Sequence, residues 1–506
     1  MRVLLWHGWL LEGSGSNVYT ARVAEVLRAE GHDVLLLCQE GHPERYRWID
    51  GIGTVDADGV SDVVPNAADA ASGRCVLLRP AIGRLLPVFV LDEYPGFEVK
   101  RFVDLTDGEL AAYLDANVAA VRTAAAWHGS DAVITGHAIP GGVIGVRALG
   151  PGRYVTKIHG SDLEYAIRLD DRYLALSREG LPPARAVTGS SDDVLRRCVE
   201  LVPEIAPRVR TVSPGVDVNV FHPRDRREAL LETAARLDGD PSTARGRPST
   251  LDGEVERALP RRDARALDDL AAAYDQEVPD PDAAGRLRAL AGSEGPIVGY
   301  FGKLIPQKGV ADLLVAAAAS SLRPPALVVG FGKHREWLQA LAAALGAGDA
   351  DALTWLTEAI GVENAAPAAR AGPRVTFIGR LDHRYAPGAL AAMDVLVVPS
   401  ILHEAFGMVA AEGAAAGALP LVARHSGLAE VAGALEGEVG RPGLFSFAPG
   451  EGAARNLAEA LDRSLSLPAA ERRDLSHAVT SFVARTWSWG ATARRLLEAA
   501  TSGPPT

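Results

Sequence analysis

Two glutamates frame the stretch "HEAFGMVAAEGAAAG", which begins at His403 and ends at Gly417. Glu404 and Glu412 lie eight positions apart, which corresponds to about 12 Å along a helix. Paired carboxylates that act on one glycosidic bond with retention need a separation of about 5 Å. The spacing instead favours a clamp, in which each carboxylate accepts hydrogen bonds from two neighbouring hydroxyls of a ribose or a sugar. Two ordinary acids at the edge of an alanine-rich helix remain an alternative.

Two lysines on one loop indicate a second kind of chemistry. Lys303 ends the apolar run "PIVGYFGK", and Lys308 follows five residues later in "LIPQKG". Two ammonium groups directed at one point would bind a diphosphate and stabilise it as a leaving group. An ordinary solvated loop is the alternative interpretation.

Glycine-rich turns offer possible phosphate contacts. The segment "RHSGLAEV" follows the apolar run "ALPLVA" and is expected to begin a helix, so that residues 426–428 present backbone amides to an anion. The turns "GFGK" and "GSGS" have the same position between a strand and a helix. Each turn alone is weak evidence, because such glycines also serve tight backbone geometry.

The elements that position these residues form two α/β series. The first begins with the βαβ pattern "RVLLWHGWL", "TARVAEVLRAEGH" and "DVLLLCQ" and continues to "VRTVSPGVD". The second begins at "PIVGYFGK" and continues through "ALVVGFGK", "RVTFIGRL", "DVLVVPS" and "ALPLVAR". In such sheets ligands bind at the carboxyl ends of the strands, where the residues described above lie. Two doubly wound α/β domains are therefore predicted.

A charged segment separates the two series at about residues 224–292. It has helical periodicity in pieces, no strand-like run, and many Pro, Asp and Gly breaks. We interpret it as a helical, partly mobile insertion, and a linker without a function of its own is the favoured view of such a segment. A smaller insertion, "GDADALTWLTEAIGVENAAPAARAG", interrupts the second series.

Composition narrows the possible partners and the compartment. The 506 residues are 48% hydrophobic and 23% charged, and the formal net charge of −12 gives no attraction toward nucleic acid or an anionic membrane. Cys38, Cys75 and Cys198 lie far apart without metal-ligand spacing, which favours free thiols in the cytoplasm. The apolar start lacks the features of a signal peptide, and no run of about 18 apolar residues predicts a membrane span.

The motifs together resemble GT-B glycosyltransferases of family 4. "GYFGKLIPQKG", "GFGK", "VTFIGRL", "DVLVVPSILHEAFGMVAAEGAAAG" and "HSGLAEV" occur in the order found in the donor-binding half of that family. "GSGSNVYTARVAEVLRAEGHDV", "VTKIHGSDLEY" and "SPGVDVNVFHP" are similar to its N-terminal glycine loop, its histidine loop and its interdomain segment. "TWSWGATARRLLEA" resembles its closing helix. The resemblance covers most of the chain outside the two insertions.

The resemblance implies an α/β GT-B fold, with two doubly wound Rossmann-like domains facing across a cleft and a C-terminal helix that crosses back to the N-terminal domain. The expected boundaries are 1–215 for the acceptor-side domain, 216–480 for the nucleotide-sugar-binding domain with its insertion at about 224–292, and 481–506 for the crossover helix and tail.

The activity implied by the resemblance is retaining transfer of a hexosyl group from a nucleotide-diphosphate sugar, with UDP or GDP as the expected nucleotide. No metal or other cofactor is expected. The acceptor is left open as a small molecule, a glycan or a lipid-linked compound, with at most peripheral membrane contact and no nucleic acid. The alternatives are a sugar-nucleotide epimerase or glycan phosphorylase on the same fold, or a non-catalytic protein that binds nucleotides or carbohydrates.

The resemblance also assigns roles to residues of this chain. The catalytic residues are predicted to be His159, Lys303, Lys308 and Glu404. The donor-binding residues are predicted to be Gly15, Gly302, Gly330, Gly332, Arg380, Leu381, Phe406, Gly407, Met408, Val409, Glu412, Ser426, Gly427 and Leu428. The acceptor-side residues are predicted to be Ser16, Asn17, His137 and Asp162. The family commonly has arginine in place of Lys303, so this chain offers a point charge where the family offers a bidentate group.

Overall fold

The structure is a computed structural model that describes residues 1–91, 94–363, 372 and 374–502. It divides into two compact units: Met1–Gly215 with Ser488–Thr506, and Val216–Trp487. The chain thus leaves the first unit after Gly215 and returns to it at Ser488.

The first unit contains a parallel sheet with helices in the connections. Its strands are β1 (Arg2–Trp6), β2 (Asp33–Leu37), β3 (Gly51–Val55), β4 (Val64–Pro65), β5 (Arg74–Pro80), β6 (Leu85–Val88), β7 (Glu98–Arg101), β8 (Ala132–Gly136), β9 (Val155–Lys157), β10 (Ala186–Gly189) and β11 (Val209–Thr211). Its helices are α1 (Gly15–Ala29), α2 (Asp107–His128), α3 (Val143–Leu149), α4 (Asp171–Gly180) and α5 (Asp192–Leu201), and the helix numbered α18 in chain order (Trp489–Thr501) closes it.

Among the described residues the main sheet of this unit has the order β11-β10-β9-β8-β1-β2-β5-β3-β4. The pairs are parallel except β3 with β4. The central strands are nearly continuous runs of Val, Leu and Ile, and Leu4 and Leu35 are fully buried, because helices cover both faces of such a sheet. The strands β6 and β7 form a separate parallel pair.

The second unit is built around a smaller parallel sheet. Its strands are β12 (Val298–Lys303), β13 (Ala326–Phe331), β14 (Val375–Phe377), β15 (Val395–Val398), β16 (Leu419–Ala423) and β17 (Ser446–Phe447). Its helices are α6 (Arg226–Asp238), α7 (Asp252–Ala258), α8 (Ala264–Leu270), α9 (Ala283–Ala291), α10 (Val310–Ala319), α11 (Arg335–Ala347), α12 (Ala350–Ile360), α13 (Ala386–Ala391), α14 (Met408–Ala415), α15 (Ser426–Val439), α16 (Ala453–Leu465) and α17 (Ala469–Thr486).

The strand order of this second sheet, β14-β13-β12-β15-β16-β17, defines where a ligand can bind. The chain builds outward from β12 through β13 to β14 and then returns to place β15 on the other side of β12. The loops after β12 and β15 therefore leave the sheet in opposite directions and open a crevice at its carboxyl edge. Both units thus have the doubly wound α/β architecture predicted from the sequence.

The segment 224–292 folds into α6 to α9 and packs as part of the second unit. Leu230, Leu237 and Leu287 join its hydrophobic core. The fully buried Arg247 donates two hydrogen bonds to the equally buried Glu336, at 2.7 and 2.8 Å. Helical structure was predicted here, but the amount of buried contact exceeds what a linker requires. The smaller insertion contains α12, and its residues 364–371 lie outside the described residues.

Two further predictions concern the surroundings of the protein. No helix in the described part of the chain combines the length and the apolar character needed to cross a membrane. Cys38, Cys75 and Cys198 are buried and free. Burial raises the pKa of the Cys38 thiol to about 12, so this thiol is protonated at neutral pH.

Candidate active site

The two loops at the crevice of the second sheet are joined by an ion pair. Lys308 ends a short 3-10 helix after β12, and its Nζ donates to Oε1 of Glu404 in the loop after β15. A backbone bond from the amide of Ile401 to the carbonyl of Gln307, at 2.8 Å, also links these loops. Both charged side chains are about one quarter exposed. The structure therefore brings together two of the predicted catalytic residues as a single charge-neutral group.

The loop of Glu404 is held in turn by the start of α15. The amide of Glu404 donates to Oγ of Ser426 at 3.1 Å, and its carbonyl accepts from the amide of Gly427 at 3.0 Å. A Cβ on Gly427 would lie 2.7 Å from the backbone of Phe406, so only glycine fits there. The amide of Gly427, predicted to face a phosphate, is thus already engaged within the protein, where it orients Glu404.

The second glutamate of the predicted clamp lies on a helix, as expected from the sequence. Gly407 adopts a φ of 101° immediately before α14, and that helix carries the half-buried Glu412. Phe406 and Leu428 have buried side chains and pack beneath the loop, so they support the site from the core side. Met408 and Val409 in the first turn of α14 are only partly buried.

Other predicted donor-binding residues lie at the carboxyl ends of β12 and β13 or in the loops after β13 and β14, along the same edge of the sheet. Gly302 and Gly330 pack backbone against backbone, since a Cβ on Gly330 would lie 2.0 Å from the carbonyl of Gly302. A Cβ on Gly332 would likewise lie 2.4 Å from the carbonyl oxygen of Leu304. Leu381 is buried. The close packing of these loops explains the glycines without requiring a ligand.

Arg380, by contrast, makes contacts within the protein that the sequence did not indicate. Its amide donates to the carbonyl of Val278 at 3.3 Å, and its Nη1 donates to Oε2 of Glu277 at 2.6 Å. Its guanidinium lies 4.8 Å from the ring centroid of Phe331, and Nζ of Lys303 lies 5.9 Å from the same centroid. Lys303 and Arg380 thus share an aromatic partner at the carboxyl edge of the sheet.

In the first unit, three histidines meet at the carboxyl edge of adjacent strands. His7 follows β1, His137 follows β8, and His159 follows β9. The ring centroids of His137 and His159 are 4.5 Å apart, and those of His7 and His137 are 6.1 Å apart. Trp9 and Phe89 pack against His137 with centroid distances of 4.6 and 5.0 Å. The structure therefore places both predicted histidines in one aromatic cluster.

Burial keeps these histidines neutral. Desolvation lowers the pKa of His137 to about 3, and desolvation together with the neighbouring His137 lowers that of His7 to about 3. Burial and the adjacent His137, Lys157 and His7 hold the pKa of His159 well below its usual value. Nδ1 of His137 has no hydrogen-bond partner among the described residues. A neutral imidazole with an unused nitrogen can exchange a hydrogen bond with a ligand hydroxyl.

Asp162, predicted to lie on the acceptor side, connects the two histidine loops. Its fully buried carboxylate accepts from the amide of Ala138 at 2.6 Å and from the amide of Gly160 at 2.8 Å. These amides directly follow His137 and His159, so one carboxylate joins the two histidine loops. Burial raises the pKa of Asp162. We conclude that Asp162 positions the histidines from inside the fold.

The N-terminal glycine loop supports the same cluster. Ser14 caps α1 by accepting from the amide of Asn17 at 3.3 Å, and its Oγ lies 3.0 Å from that of Ser16. The buried Asn17 accepts from Nε2 of His7 at 2.8 Å and donates to the carbonyl of Glu12. Asn17 therefore orients His7, whereas Gly15 borders open space.

Several site residues escaped the sequence analysis. His7, Trp9 and Phe89 follow strand-like runs, so their positions at strand ends could have drawn attention to them. His425, whose Nε2 donates to the carbonyl of Ser400 at 2.6 Å, adjoins the predicted Ser426 and could have been found in the same way. Glu277 lies in the insertion without any motif, and no local signal could have indicated it.

Metal binding has no evident place in the described residues, which contain no group of three or more His, Cys, Asp or Glu side chains that could hold an ion. The absence of a cofactor stays a prediction.

Two family models match the chain. The model of the glycosyl transferase 4-like domain matches residues 14–215, and the model of glycosyl transferases group 1 matches residues 295–466. Each of the two Rossmann-like units thus contains one of the two matched glycosyltransferase domains, and this combination identifies the protein as a glycosyltransferase. The chain belongs to the group 1 glycosyl transferases, and the predictions of family and enzyme class are confirmed. No curated protein matches the chain in sequence.

Solved structures of glycosyltransferases share the fold at low sequence identity. Sucrose-phosphate synthase from Thermosynechococcus elongatus is 19% identical, with a TM-score of 0.56 and coverage of 98% of this chain and 97% of that chain. Anabaena HepE in complex with UDP-glucose is 15% identical, with a TM-score of 0.54 and 98% of both chains covered. The trehalose 6-phosphate synthase of Burkholderia multivorans is 13% identical, with a TM-score of 0.51 and coverage of 99% and 98%. These likenesses confirm the GT-B fold class.

Proposed function

We propose that this enzyme transfers a hexosyl group, with retention of configuration, from a nucleotide-diphosphate sugar held by the second unit. The observation that carries the proposal is the Lys308–Glu404 pair at the crevice of the second sheet. A cation and a hydroxyl-binding carboxylate side by side suit the junction between a diphosphate and a sugar. A UDP-sugar is the favoured donor, supported by the UDP-glucose complex of the Anabaena protein.

The donor can be laid along the carboxyl edge of the sheet. Glu412 lies in α14, the helix that follows the loop of Glu404, and would hold the ribose hydroxyls. Glu404 would hold hydroxyls of the sugar. Lys303 and Lys308 would contact the diphosphate, with the N-termini of α14 and α15 adding favourable dipoles. The base would meet the loop after β14, beside Arg380 and Leu381.

The chemistry follows from what these groups can stabilise. Cations beside the diphosphate would lower the free energy of the departing negative charge as the glycosidic bond breaks. Both glutamates are assigned to hydroxyls, so neither serves as a nucleophile, and a same-face attack would place the acceptor oxygen on the side that the diphosphate leaves. The leaving diphosphate would take up the acceptor's proton, and the product would keep the donor's anomeric configuration.

The histidine cluster of the first unit supports an acceptor-binding role for that unit. A sugar ring or another polar acceptor could pack against Phe89 and exchange hydrogen bonds with the neutral His137 and His159. A small molecule, a glycan and a lipid-linked compound all satisfy this chemistry. The free buried cysteines favour a cytoplasmic setting.

A donor screen followed by product analysis tests the proposal. Thermal unfolding of the full chain should shift upward with one class among UDP-, GDP- and ADP-sugars, because a ligand that binds the folded state stabilises it. With that donor and a mixture of acceptors, free nucleoside diphosphate should appear together with a new glycoside. The anomeric proton in the NMR spectrum should report the donor's configuration.

The alternatives predict other products. Interconversion of the nucleotide sugar without transfer would indicate an epimerase, and release of a sugar phosphate from a glycan would indicate a phosphorylase. Failure of every nucleotide sugar and nucleoside diphosphate to shift the unfolding temperature would contradict the proposal, and a product of inverted configuration would contradict the retaining mechanism.

A further inference from the structure

One carboxylate of the insertion reaches the edge of the second sheet where the donor is proposed to bind. Oε2 of Glu277, which lies between α8 and α9, accepts from Nη1 of Arg380 at 2.6 Å. The side chain of Glu277 is 66% exposed and that of Arg380 is 38% exposed. An ion pair this accessible to water contributes little to folding stability, so stability alone gives little reason for it.

The backbone around Glu277 is docked onto the loop that carries Arg380. The amide of Asp280 donates to the carbonyl of Ile378 at 3.1 Å, and the amide of Arg380 donates to the carbonyl of Val278 at 3.3 Å. Pro279 and Gly379 form an antiparallel bridge between these two bonds. The insertion therefore adds a short strand-like edge to the loop after β14.

This docking requires glycine at position 379. Gly379 has a φ of 77°, and a Cβ there would lie 2.6 Å from Oδ1 and 2.7 Å from the backbone nitrogen of Asp280. Asp280 is itself held by the buried Arg335, whose Nη2 donates to it at 2.8 Å. A rigid, buried anchor thus fixes the segment from which the exposed Glu277 projects.

The same contacts set the direction of the Arg380 side chain. Its guanidinium lies over Phe331, the last residue of β13, with Lys303 near the same ring. A flat guanidinium fixed at a strand end offers a stacking face and free N–H donors to a flat ligand with carbonyl or ring-nitrogen acceptors. A nucleobase has this chemistry. In the proposed arrangement, β14 lies at the nucleoside end of the donor.

We propose that Glu277 is a positioning residue of the donor site: it holds Arg380 in the orientation that recognises the nucleobase, so that the insertion contributes to the choice of nucleotide. This inference rests on the proposed function, because it needs a nucleotide donor at this edge. It gives the insertion a role in specificity, where the sequence favoured a linker without function.

The test compares the dissociation constants of UDP, GDP, ADP and inorganic pyrophosphate for the full chain and its variants by calorimetry. Glu277→Ala should weaken the preferred nucleoside diphosphate by about threefold to tenfold, the range of one hydrogen bond. The other two nucleotides should lose less, so that discrimination narrows, and pyrophosphate, which has no base, should be unaffected. Glu277→Gln, whose amide oxygen can still accept from Arg380, should recover part of the loss.

Two controls separate positioning from a general effect. Asp238→Asn removes a carboxylate of the same insertion that pairs with Arg288, an exposed contact between α6 and α9, and it should leave all four constants unchanged. In an Arg380→Ala background, Glu277→Ala should have no further effect, because the group that it positions is gone.

The outcomes distinguish this inference from the proposed function. If the wild-type chain binds a nucleoside diphosphate but Glu277→Ala binds all three with unchanged selectivity, the positioning role is overturned and the proposed function stands. An equal loss for pyrophosphate, or an equal loss in the Arg380→Ala background, overturns it as well. If the wild-type chain binds none of the nucleotides, both the inference and the proposed function fail.

Discussion

Lys308 and Glu404 form an ion pair that joins the loops after β12 and β15 at the crevice of the second sheet. Each side chain therefore neutralises the charge of the other. If one is removed, the charge of the remaining side chain acts directly on a bound ligand. A diphosphate would meet a net cation only if Glu404 turns to the sugar hydroxyls and frees the ammonium of Lys308.

This ion pair predicts that the single variant Lys308→Ala and the double variant with Glu404→Gln differ in their affinity for a nucleoside diphosphate. Lys308→Ala should weaken nucleoside diphosphate binding by roughly tenfold, since it removes a cation and leaves the Glu404 carboxylate to repel the phosphates. Adding Glu404→Gln should restore part of that affinity, because the repulsion disappears. Calorimetry with UDP or GDP measures both effects. A double variant that binds the nucleoside diphosphate no more tightly than Lys308→Ala would contradict the coupling.

Lys303 should act mainly on the leaving group. Lys303→Ala should lower kcat by about tenfold or more, beyond any change in donor affinity, since charge develops on the diphosphate only as the bond breaks. Lys303→Arg restores the residue common in the family and should keep much of the activity. Steady-state kinetics decides the matter: a variant that raises KM alone would reassign Lys303 to binding of the intact donor.

Close packing beneath Glu404 makes Gly427 sensitive to a single methyl group. In Gly427→Ala the new Cβ would lie 2.7 Å from the backbone of Phe406, so the loop of Glu404 must shift. We expect a loss of stability of about 1–3 kcal/mol and weaker binding of the nucleotide sugar. Chemical denaturation and calorimetry of the full chain measure these two quantities.

Gly433 provides the matched control in the same helix. A Cβ at Gly433 meets no atom within 4 Å, and alanine is the better helix former by up to about 1 kcal/mol. Gly433→Ala should therefore be neutral or stabilising and should bind donor normally. Equal destabilisation by both variants would show that the helix, and not the contact with Phe406, is responsible.

The buried histidines predict a pH dependence of stability. The pKa of His137 is about 3 in the folded chain and about 6.5 when it is exposed, so between these values the unfolded chain binds a proton that the folded chain does not. Stability is therefore complete above about pH 6.5 and falls as the pH is lowered, by up to about 1.4 kcal/mol per unit for one histidine. His7 and His159 face His137 and contribute in the same direction.

A comparison of variants isolates the contribution of His137 to the pH dependence of stability. His137→Gln should be less stable than the wild type at pH 7.5, and the difference should narrow toward pH 5, because the glutamine does not titrate. The exposed His222→Gln should show no such convergence. Denaturant titrations at several pH values test this, and parallel curves for His137→Gln and the wild type would contradict it.

The fold, and the strand-end positions of Lys308 and Glu404, could be predicted from the sequence because they depend on local signals. Strand-like runs and helix periodicity placed both sheets, and Lys308 and Glu404 each follow a strand in a recognisable motif. Their pairing could not be read in the same way, because it depends on β12 and β15 being neighbours although more than ninety residues separate them.

The contacts of two further residues could not be predicted for a related reason. Asp162 lies in the histidine motif, but the sequence does not show that its carboxylate accepts from the amides of Ala138 and Gly160. Glu277 carries no motif at all, and only the docking of the insertion onto Gly379 brings it to Arg380. Buried polar groups in a folded protein find hydrogen-bond partners, but no periodic pattern in the sequence shows which partners these are.

The two glutamates should divide the donor between them. If Glu412 holds the ribose, Glu412→Ala should weaken nucleoside diphosphate and nucleotide sugar alike, by about 1.5–3 kcal/mol for a hydrogen bond to a charged group. Glu404→Ala should weaken binding of the nucleotide sugar, whereas binding of the bare diphosphate should stay the same or strengthen, because Lys308 is freed from its partner. Calorimetry of both variants with both ligands gives four changes in binding free energy, which can be compared directly. Equal changes for both variants with both ligands would sink this division and leave the glutamates as general supports of the loop.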